Sequence, residues 1–166
     1  MFLTSFPERS SPHILEELNK QPKTGVIDGM YYPTTKLFSL YTAREISKLP
    51  LAKGIVVNIV DPGFCSSDLL REVDIPAIFR RIPWSCAKGS LNLVYAALNP
   101  TPPGAFVMAA QVRPSILYGN HDADAFRGPY FTLDKAGIEV QKRVWEEMKE
   151  VWCRVASQVA GVVGSR

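Results

Sequence analysis

The 166-residue sequence contains no apolar run approaching the ~18 residues that a membrane-spanning helix needs, which excludes that class of membrane protein. Its start, "MFLTSFPERSSPHI", lacks a basic region followed by an apolar stretch, so it does not read as a secretory signal. Three cysteines (Cys65, Cys86, Cys153) stand far apart with no Cys-x-x-Cys and no neighbouring histidine, which argues against a disulfide framework and a zinc site. The two histidines, His13 and His121, sit in polar, loop-like contexts and read as exposed residues, not ligands. No stripe of Lys and Arg interleaved with aromatics is present, so nucleic-acid binding is not expected. Asn99-Pro100-Thr101 is disqualified as a glycosylation site by its proline. A reducing, cytoplasmic setting is the expectation.

What is present is the composition of a folded domain. Hydrophobic residues make up 46% and charged residues 21%, with a net charge of +3. That is enough apolar material for a sizeable core and one domain.

Along the chain, "SSPHILEELNK" reads as a short helix with Ser11 as cap, Pro12 in its first turn and Ile14, Leu15 and Leu18 as its apolar stripe. A stronger helix is expected from Tyr32 to about Lys48. Its apolar positions cover more than one face, so it should be buried on two sides. "IVVNIV" (residues 55–60), bounded by Gly54 and Asp61-Pro62-Gly63, has the pattern of a parallel strand buried on both faces. Residues 64–84 read as a connection with short helical pieces, and "SCAKGSLNLVYAALNP" as a helix opened by Ser85 and closed before Pro100. "GAFVMAAQV" (residues 104–112) is a second buried strand, followed by a loop over residues 119–128. A long amphipathic helix is expected from Asp134 to Val159, burying Val144, Met148, Val151, Trp152, Val155 and Val159. Trp145 and Trp152 read as core anchors. Helix, strand, helix, strand, helix is α/β with parallel strands, yet two such strands are too few to stand alone.

The chemistry-bearing pattern is "YPTTK". Tyr32 and Lys36, four apart, share one face of a helix. A phenol serves as an acid/base near neutrality only where a neighbouring cation favours its phenolate. Tyr31 is the competing phenol, about 100° round the helix. By itself the spacing arises in many helices, and a packing tyrosine beside a solvated lysine is the simpler reading. Pro62-Gly63 alone is likewise an ordinary strand-end turn.

Taken together, Tyr32-x-x-x-Lys36 with Thr35 before the lysine, the strand ending in Pro62-Gly63 with Ser67 beyond, "FVMAAQVRPS" and the tail "QKRVWEEMKEVW" resemble the short-chain dehydrogenase/reductase family. The likeness is to fungal members with a long insert before the active tyrosine, and "FPERSSPHILEELN" resembles that insert. It covers nearly the whole chain but only the family's C-terminal half. The family's glycine-rich turn, G-x-x-x-G-x-G, which cradles the cofactor pyrophosphate, is absent, as are its Asn-Ala-Gly segment and its catalytic serine strand.

The resemblance implies a single partial domain over residues 1–166. It comprises an insert-like segment (1–30), the catalytic helix with its strand and cofactor-side elements (31–118), and a loop with the closing helix (119–166). The implied fold is the C-terminal part of a Rossmann-like doubly wound parallel sheet, without the N-terminal dinucleotide-binding half. The implied activity is hydride transfer between NADP(H) and a ketone or hydroxyl of a small molecule, in fungal secondary metabolism. Tyr32 would move the proton and Lys36 would support it and hold the nicotinamide ribose. Pro62, Gly63, Cys65 and Ser67 would face the nicotinamide side. The tyrosine helix would line an oligomer contact, with no nucleic acid or membrane involved. Two further readings stand beside it: an inactive fragment, or a cofactor-independent protein, either an isomerase using Tyr32 as base or a regulatory partner of a full-length relative.

Overall fold

The computed structural model describes residues 10–20, 31–67, 83–108 and 132–164. The helix α1 (Ile14–Lys20) forms where Pro12 and the Ser11 hydroxyl, which accepts from the His13 amide at 3.0 Å, start the first turn. It buries Ile14 and Leu18, with Leu15 partly buried beside them. The helix α2 (Tyr31–Ile46) begins one residue before and ends two before the expected limits. Its Pro33 lies in the first turn, where a missing N–H costs nothing. Thr34, Leu37, Phe38, Leu40, Tyr41 and Ala43 are buried, which places burial on two faces, as its pattern requires. One face meets α4 (Lys135–Val155) and α1, and the other meets the sheet. Ile14, Leu37, Phe38, Leu40, Tyr41, Phe106, Val140 and Val144 make the core.

Two parallel strands follow, β1 (Ile59–Asp61) and β2 (Phe106–Met108), in the register Ile59 to Phe106, Val60 to Val107 and Asp61 to Met108. The strand expected over residues 55–60 starts later. Ile55 and Val56 are 60% and 57% exposed, because the partner chain first comes alongside at Gly104, whose amide donates to the Val57 carbonyl at 2.7 Å. Of the strand expected over residues 104–112, the part beyond Met108 lies outside the described residues, as does the loop at 119–128. The helix α3 (Cys86–Leu98) connects β1 to β2 across the sheet, opened by the Ser85 hydroxyl accepting from the Lys88 amide. It lays Gly89 and Ala96 inward and leaves Leu91, Val94 and Leu98 exposed.

Asp134 caps α4 through the Gly137 amide. The buried face of α4 is Gly137, Val140, Gln141, Val144 and Trp145, on the same side of the helix as the expected stripe but nearer its N-terminal end, with Met148 partly buried beside it. Val151 and Val155 are 43% and 82% exposed, beyond Glu147 and Met148, where α4 meets α1 and α2. The extended backbone at Ala156 ends the helix four residues before the expected Val159, and a 3-10 turn (Ser157–Val159) leads into α5 (Ala160–Val163). Trp145 is buried, and Trp152 meets it edge to face at 5.6 Å.

Candidate active site

Adjacent residues on a helix point about 100° apart, so Tyr31 and Tyr32 diverge. Tyr31 packs against the core cluster. Tyr32 is half-buried, and the Lys36 ammonium lies over its ring with Nζ 5.3 Å from the centroid. That is cation–π distance, and it places a positive charge beside one phenol and not the other. The Thr35 hydroxyl donates to the Tyr32 carbonyl at 2.8 Å, tying the turn on which the pair sits.

At the end of β1, Asp61 Oδ1 accepts from the Gly63 amide at 2.8 Å and closes a tight turn. Gly63 holds φ at +80°, a left-handed conformation that a side chain would strain. Cys65 then pairs with Trp84 in a parallel bridge, reinforced by Ser66 amide to Trp84 carbonyl and Trp84 amide to Phe64 carbonyl, each 2.8 Å. A Cβ on Gly89 would stand 2.2 Å from Cys65 Sγ and 3.1 Å from the Pro62 carbonyl oxygen, so this loop rests directly on the backbone of α3. Gly63 and Cys65 are half-buried, whereas Pro62 and Ser67 are exposed. Partial burial pushes the Cys65 thiol up from its ordinary range, and neighbouring Cys86 and Asp61 push it the same way.

Gly104, two residues ahead of β2, lies against Arg44 and Ser47 near the C-terminal end of α2. The segment leading into β2 therefore lies beside the C-terminal end of α2, and β1 ends in the turn at Pro62 and Gly63. Among the described residues no hydrogen bond joins Tyr32 or Lys36 to residues 62–67. Also among the described residues, no cluster of three or more His, Cys, Asp and Glu could hold a metal, and no helix is long and apolar enough to cross a membrane.

Three curated proteins are similar to this chain. Short chain dehydrogenase sol3 of Alternaria solani is 34% identical over 110 residues, which cover 64% of this chain and 38% of that protein. Short chain dehydrogenase FGM9 of Gibberella zeae is 27% identical over 160 residues, 93% of this chain and 44% of the relative. Short chain dehydrogenase atnD of Emericella nidulans is 30% identical over 104 residues, 57% and 32% respectively. All three similar proteins are fungal short chain dehydrogenases, and the likeness reaches over as much as 93% of this chain. The match spans between 32% and 44% of the length of these relatives. No family model and no solved structure matches this chain.

In this short-chain dehydrogenase relative, the residues that hold the loop after β1 were not singled out by sequence reasoning. Trp84 pairs with Cys65, carries the Lys88 ammonium 4.5 Å from its ring centroid and packs under Gly63. Gly89 is the one with a visible signal, a glycine inside an apolar helical pattern that marks close backbone approach. Asn92 donates to the Asp61 carbonyl at 3.3 Å. Asn58 donates to the Ala96 carbonyl and the Thr101 hydroxyl at 3.2 and 3.1 Å. These two amides hold α3 on β1, and nothing local distinguishes them from surface asparagines.

Proposed function

We propose that this chain carries the proton-transfer residues and the nicotinamide-side loop of an oxidoreductase that moves hydride between NADP(H) and a ketone or hydroxyl of a small molecule, in fungal secondary metabolism. The observation that carries the reading is the difference in what the two half-buried phenols touch: Tyr31 packs against the core cluster, and Tyr32 lies under the Lys36 ammonium. The chain is read as the C-terminal part of a Rossmann-like sheet. In support, β1 pairs in parallel with β2 and ends at Pro62 and Gly63, the carboxyl end of the strands, where open α/β sheets bind ligands.

The residues present fit one end of the cofactor. Gly63, with φ at +80°, turns the chain after β1, and Gly89 lets that turn rest on α3, so residues 62–67 are held as the loop that would face the nicotinamide carboxamide. The sequence has no glycine-rich turn, so the pyrophosphate and adenine end has no matching residues here. When bound, the nicotinamide supplies or accepts the hydride. Tyr32 gives its phenolic proton to the carbonyl oxygen in reduction and takes it back in oxidation. Lys36, with three N–H donors and a full charge, holds ribose hydroxyls and keeps positive charge beside the phenol as the proton leaves.

Titration of the purified chain with NADPH, followed by cofactor fluorescence, tests this. Saturable binding with Kd of about 1 mM or tighter, weakened by Lys36→Met and retained in Tyr32→Phe, supports it. No saturation at several-fold higher cofactor overturns it for this chain.

A further inference from the structure

Two of the three cysteines, 21 positions apart in sequence (Cys65 to Cys86), meet at one place in the fold. Cys65 is the bridge partner of Trp84, and partners in neighbouring strands stand about 5 Å apart. Cys86 follows Trp84 by two residues and opens α3. Its Sγ donates to the carbonyl of Ser66, the residue next to Cys65, at 2.9 Å. From the other side, Cys65 Sγ reaches within 2.2 Å of the position a Gly89 Cβ would occupy. Gly89 is three residues after Cys86, and Cβ positions three apart on a helix are about 5–6 Å apart. The two sulfurs therefore lie on the same turn of α3, each held by a carbonyl of the loop after β1: Pro62 for Cys65, at 3.4 Å, and Ser66 for Cys86. Cys86 is exposed and Cys65 half-buried, so an oxidant has a way in.

We propose that Cys65 and Cys86 form a reversible disulfide that staples the loop after β1 to the first turn of α3. A peroxide is the oxidant. The exposed Cys86 sulfur attacks one peroxide oxygen, the O–O bond breaks, and one water leaves as Cys86 becomes a sulfenic acid. The Cys65 sulfur then attacks Cys86 sulfur; the S–S bond forms, the S–O bond breaks, and the thiol proton leaves with hydroxide as a second water. The two sulfurs together lose two electrons, and the peroxide becomes two waters. A thiol such as glutathione reverses the bond by exchange. Disulfide geometry needs a Cα separation of roughly 4.4–6.8 Å, so the two side chains turn toward each other and the loop shifts by whatever that separation requires. The crosslink stands on the placement of the two thiols alone. That it also fixes the nicotinamide-side loop rests on the function proposed above.

The test is to treat the full chain with hydrogen peroxide, block remaining thiols by alkylation, digest without reductant and identify crosslinked peptides by mass spectrometry. The expected product joins the Cys65 and Cys86 peptides within one chain with loss of two hydrogens, leaves Cys153 alkylated, and reverts on reduction. It disappears in Cys65→Ser and separately in Cys86→Ser, and circular dichroism reports whether each variant is folded. If wild-type chain yields both thiols alkylated, Cys86 overoxidised with Cys65 free, or only crosslinks between chains, the proposal is overturned. Because the readout needs no cofactor, a failure to bind NADPH does not affect it.

Discussion

Glu147 on α4 holds the start of α1. Its two carboxylate oxygens accept separately from the backbone amides of Ile14 and Leu15, each at 2.8 Å, across more than 130 positions of sequence. Arg143, one turn earlier, donates to the Ser11 carbonyl at 2.8 Å. A carboxylate at a helix start satisfies orphan amides and meets the positive end of the helix dipole.

Glu147→Ala should therefore release α1 without unfolding the rest. Losing two charge-assisted bonds at a part-buried site should cost about 2 kcal/mol. Hydrogen exchange should speed up at residues 14–18 while α2 and α4 stay protected. Uniform loss of protection throughout the chain would contradict this local role.

Gly89 leaves no room for a methyl group. Gly89→Ala puts a Cβ 2.2 Å from Cys65 Sγ and 3.1 Å from the Pro62 carbonyl oxygen, and overpacking of this kind costs about 1–3 kcal/mol. Adding Cys65→Ala removes the closer contact and should restore part of the loss, because the Pro62 carbonyl remains. A double-mutant cycle in thermal denaturation measures the coupling, and strict additivity would show that the two residues do not meet.

The uneven burial along α4 predicts a contrast between two valines on the same side of the helix. Val144 is fully buried in the core, so Val144→Ala should cost about 2 kcal/mol. Val155 is 82% exposed, so Val155→Ala should stay within about 0.5 kcal/mol. Equal losses in denaturant unfolding would mean that the second half of the stripe is also covered.

The two phenols should separate in the same way for activity. Tyr32→Phe should reduce carbonyl reduction by about 10²–10⁴-fold, the usual worth of a positioned acid, and leave the melting temperature nearly unchanged. Tyr31→Phe should leave turnover near wild type, because only the ring of Tyr31 packs on the core. Comparable rates for Tyr32→Phe and wild type would remove Tyr32 from the reaction.

Much of this was legible from periodicity and caps. Ser85 and Asp134 start their helices where short polar side chains precede apolar repeats, and the two-sided burial of α2 follows from its apolar positions. The Tyr32-Lys36 pairing is a property of helical spacing, so it too could be read before any fold was known. These are local matters: a residue's neighbours along the chain decide them.

Tertiary structure decided the rest. Which valines of α4 are buried depends on how far α1 and α2 extend beside it, and the late start of β1 depends on where Gly104 arrives. The choice of Tyr31 over Tyr32 for the core is set by the position of that cluster. Glu147 on Ile14, and Cys65 beside Cys86 over Gly89, join residues whose sequence contexts carry no sign of each other. Helical spacing is a one-dimensional signal, whereas contact between distant segments exists only once burial has fixed which surfaces face one another.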